Sequence, residues 1–133
     1  MEICTLASGS SGNALLVRSG ETNVLIDAGI SARRITTGLK SLGVAPEDLS
    51  GILITHAHTD HLLGVVWVVR AVAEAINKGK YEGEFTVWGH DVALGVLEPL
   101  CRALLPGKLS KHFGSRIHFT ELHPNDTLHC LGM

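Results

Sequence analysis

The stretch "GILITHAHTDHLLG", from Gly51 to Gly64, limits what this chain can become more than any other part of it. Six residues carry His56, His58, Asp60 and His61, and they follow directly on an apolar run. "GILIT" reads as a strand buried on both faces, because it is short, continuous and apolar. From Asp60 onward the chain reads as the start of a helix. A strand end and a helix start joined by a short loop hold side chains in fixed relative positions, which a preorganised site requires. The bland alternative is that Asp60 only caps the helix and the histidines are partly buried polar groups. Four ligand-type side chains at this spacing weigh against it.

Alternation along an extended segment sends His56 and His58 to the same side, so the two can share one metal ion. Asp60 and His61, in the first helical turn, can reach a second ion nearby. Imidazole with carboxylate favours zinc, with manganese or iron as further options. Two such ions lower the pKa of a bridging water and clamp an ester or phosphate under attack. No serine or cysteine has a defined base partner in the sequence, so a side-chain nucleophile has no support.

The rest of the sequence points to one α/β domain over residues 1–133, with 45% hydrophobic residues to build a core. "EICTLA", "ALLVRS" and "NVLID" read as strands, with "SGSSGN" as a tight hairpin turn whose rim could line a cleft. "SARRITTGLKSLG" changes period: Ile35, Leu39 and Leu42 share a helical face, Ser31 is the expected N-cap and Gly43 the stop. "DHLLGVVWVVRAVAEAINKG" reads as one mostly buried helix and "EFTVWG" as a strand. "HDVALGVLEPLCRALL" is a helix broken or kinked at Pro99, and "SRIHFTEL" and "TLHCLG" are a strand pair joined across "HPND".

A net charge of -2 gives no bulk attraction to nucleic acid or to an anionic membrane, so binding to a polyanion would need a local patch or metal ions. Cys4, Cys101 and Cys130 are odd in number and widely spaced, which argues against a disulfide framework and fits a reducing compartment. No secretory signal opens the sequence, and the longest apolar run is far shorter than a membrane span, so a cytoplasmic location is expected.

Two further positions bear on the site. Asp27 in "LIDAG" follows an apolar strand, where it either orients the histidine loop by hydrogen bonds or simply forms an Asp-Gly type turn. His90, next to Asp91, follows a strand and is the best internal candidate for a further metal ligand, although Asp91 also suits a helix start. His123 and Asp126 in "HPND" read as a turn, and His112, His118 and His129 as surface or sheet residues.

"THAHTDH" after an apolar strand, with "LIDAG" upstream, resembles the metallo-β-lactamase fold superfamily. The opening "LASGSSGNALLV" is similar to its YycJ/WalJ group, metal-dependent hydrolases linked to double-stranded DNA exonuclease activity. The resemblance implies an αββα sandwich, here about half of it, as one sheet with flanking helices. It implies a first metal at His56 and His58, a second at Asp60 and His61, Asp60 orienting the attacking water, and Asp27 supporting the loop. In the family a further histidine, a bridging aspartate and a last histidine come from the second half, and the next "HD" segment is expected shortly after Met133. The chain therefore reads as the N-terminal half of a longer domain or a truncated product. A homodimer could cover the exposed sheet face.

The leading expectation is hydrolysis of a phosphodiester, with nucleic acid as substrate, at a dinuclear centre. A thioester or lactam hydrolase of the same fold is the alternative within the enzymes. Outside them stands an inactive metal-binding fragment whose site is incomplete.

Overall fold

The computed structural model describes residues 1–128. Its strands are β1 (Glu2–Ala7), β2 (Ala14–Ser19), β3 (Thr22–Ile26), β4 (Gly51–Leu53), β5 (Phe85–Gly89) and β6 (Ile117–Glu121). They form one six-stranded sheet in the order β1-β2-β3-β4-β5-β6. The first three run antiparallel as a meander, and β3 to β6 are mutually parallel. Parallel neighbours need crossovers, and these carry α1 (Ala32–Ser41), α2 (Thr59–Leu62), α3 (Val65–Asn77), α4 (Asp91–Leu104) and α5 (Gly107–Ser110). Successive strands step across the sheet in one direction, so right-handed crossovers stack the helices on one face.

The burial pattern shows the same asymmetry. Leu16, Leu25, Ile52 and Val87 pair across the sheet and are fully buried beneath the helices, with Val65, Val68, Val69 and Val72 of α3 packed into the same core. The alternate positions, Leu15, Val17, Ile26, Leu53 and Trp88, are only partly covered. Half of the expected sandwich is thus present: one sheet, one helical layer and one open sheet face.

Local signals account for most element ends. Ser31 caps α1 by accepting from the Arg34 amide, and Gly43 closes its C-terminus at a left-handed φ of 73°. Two expectations need correction, and a third is tested only in part. The long apolar stretch after the histidines is two helices, α2 and α3, broken at Gly64. A β-carbon at Gly64 would lie 2.5 Å from the Ile30 carbonyl oxygen and 2.8 Å from that of Ala28, so the chain passes there too close to its neighbours for any larger residue. Next, α4 continues through Pro99 to Leu104. Finally, β6 pairs in parallel with β5, and Thr127 and Leu128 are outside any strand. The remainder of the expected partner strand, with His129 and Cys130, lies outside the described residues.

Candidate metal centre

The parallel strands end at one edge of the sheet, and the hairpin between β1 and β2 turns at that same edge. Ala7 pairs with Ala14, Leu15 pairs with Ile26, and Ile26 pairs with Leu53. The "SGSSGN" turn, the "DAG" segment and the histidine loop therefore meet there by topology alone.

Asp27 is the hinge of this junction. It is buried, with 4% of its surface exposed, and its φ of 61° is left-handed, a conformation aspartate tolerates better than most residues. Its Oδ1 accepts from the Thr55 amide at 2.7 Å, and its Oδ2 accepts from the Thr55 hydroxyl at 2.6 Å and from His61 Nδ1 at 2.7 Å. A buried carboxylate needs such donors, and all three belong to the histidine loop. Asp27 thus combines a left-handed backbone with hydrogen bonds to the loop.

Asp60 is held from the other side. Its carbonyl accepts from the Asn13 amide at 2.8 Å, and its Oδ2 lies 3.4 Å from Asn13 Nδ2. Asn13 also exchanges hydrogen bonds with Gly9, which closes the turn, and its own carbonyl accepts from Gly29. Gly29 lies against this segment so closely that a β-carbon on it would sit 1.6 Å from the Asp60 carbonyl oxygen. The N-cap position of α2 belongs to His58, whose side chain makes no capping bond, so the Asp60 carboxylate is not spent on capping the helix.

Of the three loop imidazoles, His61 is the one in contact with Asp60. His61 Nε2 lies 3.2 Å from Asp60 Oδ2, while its Nδ1 is bound to Asp27, so one ring is clamped between two carboxylates. The ring centroids of His56 and His61 are 4.7 Å apart, and those of His56 and His58 are 6.1 Å apart and nearly parallel. His56 therefore stands closer to His61 than to His58. Among the described residues, no three His, Cys, Asp or Glu side chains converge on a point that could hold a metal ion. The donor types nevertheless fit a divalent cation. Imidazole nitrogens and a carboxylate oxygen are the ligand types such an ion takes.

The remaining histidines have other engagements. His90 is the N-cap of α4, its Nδ1 accepting from the Ala93 amide, and among the described residues no hydrogen bond or ring contact joins it to the histidine loop. His112 pairs with Asn77, His118 with Glu84, and His123 with Glu121 and Asp126 in the expected turn. Cys101 is buried in α4, and that burial, with Glu98 beside it, pushes its thiol up to about 12, which makes it a poor nucleophile.

Sequence reasoning missed Asn13 and Thr55. Asn13 sits at the end of the glycine-serine turn, and only the strand order places that turn over Asp60. Thr55 precedes His56 directly, and a hydroxyl adjacent to a ligand cluster was the available signal.

A family model described as the metallo-beta-lactamase superfamily matches residues 7–130. The exodeoxyribonuclease WalJ of Streptococcus pneumoniae is 50% identical over an alignment of 89 positions that covers 59% of this chain and 33% of WalJ. The exodeoxyribonuclease YycJ of Bacillus anthracis is 42% identical over 65 residues, 49% of this chain and 25% of YycJ. Among solved structures, the metallo-beta-lactamase fold protein YhfI from Bacillus subtilis superposes with a TM-score of 0.67 at 18% identity, covering 96% of this chain and 49% of YhfI. The chain spans about a third of the length of the WalJ relative and about half that of the YhfI chain.

Proposed function

Because this chain belongs to the metallo-beta-lactamase superfamily, we propose that it is the metal-binding part of a nuclease-type hydrolase that cleaves phosphodiesters in nucleic acid. One observation carries the reading: His61 is clamped between the carboxylates of Asp27 and Asp60, with the rings of His56 and His58 beside it. The names of the WalJ and YycJ relatives support DNA as the substrate class.

In this reading His56, His58, Asp60 and His61 hold two divalent ions, zinc first, with manganese or iron as options. Such ions supply an activated water at neutral pH and a positive field for the charge that develops on phosphate. The protein's own part is positional. Asp27 and Thr55 fix the loop from below, Asn13 fixes Asp60 from the side, and Asp60 is the group placed to orient the attacking water. On the membrane question, among the described residues no helix is long and apolar enough to cross a bilayer. On the open sheet face, the partner proposed for this chain is a second copy.

A second reading is an incomplete metal-binding fragment without turnover. It is favoured by the lack of a converged three-ligand group among the described residues. The two part on metal content of the purified chain together with turnover of bis(p-nitrophenyl) phosphate and of linear double-stranded DNA. Two ions held per chain, with turnover that a chelator abolishes, support the hydrolase. One weakly held ion and no turnover support the fragment. His58→Ala is expected to remove one ion, and a variant with unchanged affinity and stoichiometry would remove His58 from the ligand set.

A further inference from the structure

The hydrogen atoms between Asp27 and the histidine loop can be accounted for one by one, and Thr55 stands at the centre of that count. Its Oγ1 lies 2.6 Å from Asp27 Oδ2, 3.0 Å from His56 Nδ1 and 3.3 Å from His61 Nδ1. An ionised carboxylate has no hydrogen to give, and a hydroxyl has one. The shortest contact assigns that hydrogen to Asp27. Toward His56 the hydroxyl oxygen is then an acceptor, so a neutral His56 ring must carry its hydrogen on Nδ1. His61 follows the same rule more directly, since its Nδ1 donates to Asp27 Oδ2 at 2.7 Å. In His56 Nε2 is left with its lone pair, while His61 Nε2 faces Asp60 Oδ2 at 3.2 Å.

We infer that Thr55 is a positioning residue: its hydroxyl carries the orientation of Asp27 to His56 and fixes that imidazole in the Nδ1–H form. Which ring nitrogen carries the hydrogen is set by the partner of the ring, and a metal can bind only the nitrogen that lacks it. Thr55 is itself anchored twice to Asp27, through its amide to Oδ1 and its hydroxyl to Oδ2, so the acceptor it offers His56 has little freedom to move. One buried carboxylate thereby sets two imidazoles, one directly and one through a hydroxyl. The role rests on His56 being one of the proposed metal ligands, but the state of the ring can be read without any metal.

Thr55→Val keeps the shape of the side chain and the amide bond to Asp27 while deleting the hydroxyl, and Thr55→Ser restores the hydroxyl. Long-range nitrogen–proton correlation spectra of the imidazoles, taken on the metal-free protein above the pH range where histidine titrates, report the tautomer of His56. The Nδ1–H form is expected to dominate in the native chain and in Thr55→Ser, and to lose its dominance in Thr55→Val. Zinc affinity, measured by competition with a chelating dye, is expected to fall about tenfold to a hundredfold in Thr55→Val and to recover in Thr55→Ser. A native chain with the His56 hydrogen on Nε2 overturns the inference, and this holds whether or not Thr55→Val folds. So does a folded Thr55→Val with native zinc affinity. A native Nδ1–H form in a chain that binds no zinc upholds the hydrogen-bond assignment of Thr55 and counts against the metal site itself.

Discussion

A left-handed aspartate costs about 1 kcal/mol relative to an ordinary backbone conformation, and glycine would remove that cost at position 27. Three hydrogen bonds to the histidine loop explain why a carboxylate stands there instead. Backbone relief and loss of the carboxylate can be separated by comparing two variants. Asp27→Gly relaxes the φ of 61° and deletes all three acceptor contacts, whereas Asp27→Asn keeps a residue that accepts left-handed geometry and weakens them. Both are expected to bind zinc about tenfold to a hundredfold more weakly than the native chain, with Asp27→Gly the worse of the two. Calorimetric titration with zinc checks this. If Asp27→Gly keeps native affinity and native thermal stability, Asp27 is a turn residue and nothing more.

At the level of elements, periodicity located the strands and helices, because an apolar face repeating every second or every third to fourth residue is written along the chain. The caps at Ser31 and Gly43 were equally legible, since capping is a local bargain between a side chain or a left-handed residue and the nearest backbone groups. The break at Gly64 was not legible, because its cause is remote in sequence. The Gly64 amide donates to the Ala28 carbonyl at 2.5 Å, and the carbonyls of Ala28 and Ile30 crowd its Cα. The same holds for Asn13. Its turn could be read, but its reach to Asp60 depends on the order of four strands. A substitution tests the account of the break. Gly64 is the N-cap of α3, where alanine serves less well than glycine. The contacts add crowding against backbone that has nowhere to move, and Gly64→Ala is expected to lose about 1–3 kcal/mol. A urea midpoint at or above the native value would show that the junction yields more than this packing implies.

At the scale of the molecule, the sheet has one face under helices and one face that no helix covers among the described residues. The sequence announced a half sandwich through its resemblance, yet it did not show which side chains the missing half leaves bare. Register supplies them: Ile3 pairs with Val17 in one row, whose next partner Val24 is buried, and Leu15, Ile26, Leu53 and Trp88 follow one another in the next. Trp88 packs against Gly51, whose β-carbon would sit 2.4 Å from the indole, and so partly covers the centre of the face. Ile3 remains 66% exposed. Burying one large aliphatic side chain contributes about 1.5–3 kcal/mol, so several of them together favour association once the contact reaches about 1,000 Å² in total. A second copy offers the same apolar rows and closes the contact by a twofold axis, whereas a head-to-tail contact would not close. The chain by itself is therefore expected to sediment as a dimer at micromolar concentration. Leu15→Lys with Leu53→Lys, both on the open face, is expected to shift it to monomer. Helix α4 supplies the control, because Val92, Val96, Leu100 and Leu104 also face solvent, at 58%, 51%, 42% and 61% exposure. Leu100→Lys leaves the sheet face intact and should leave the dimer intact with it. A monodisperse native monomer at high concentration would rule out the sheet-face dimer, and dissociation by Leu100→Lys alone would move the interface to α4.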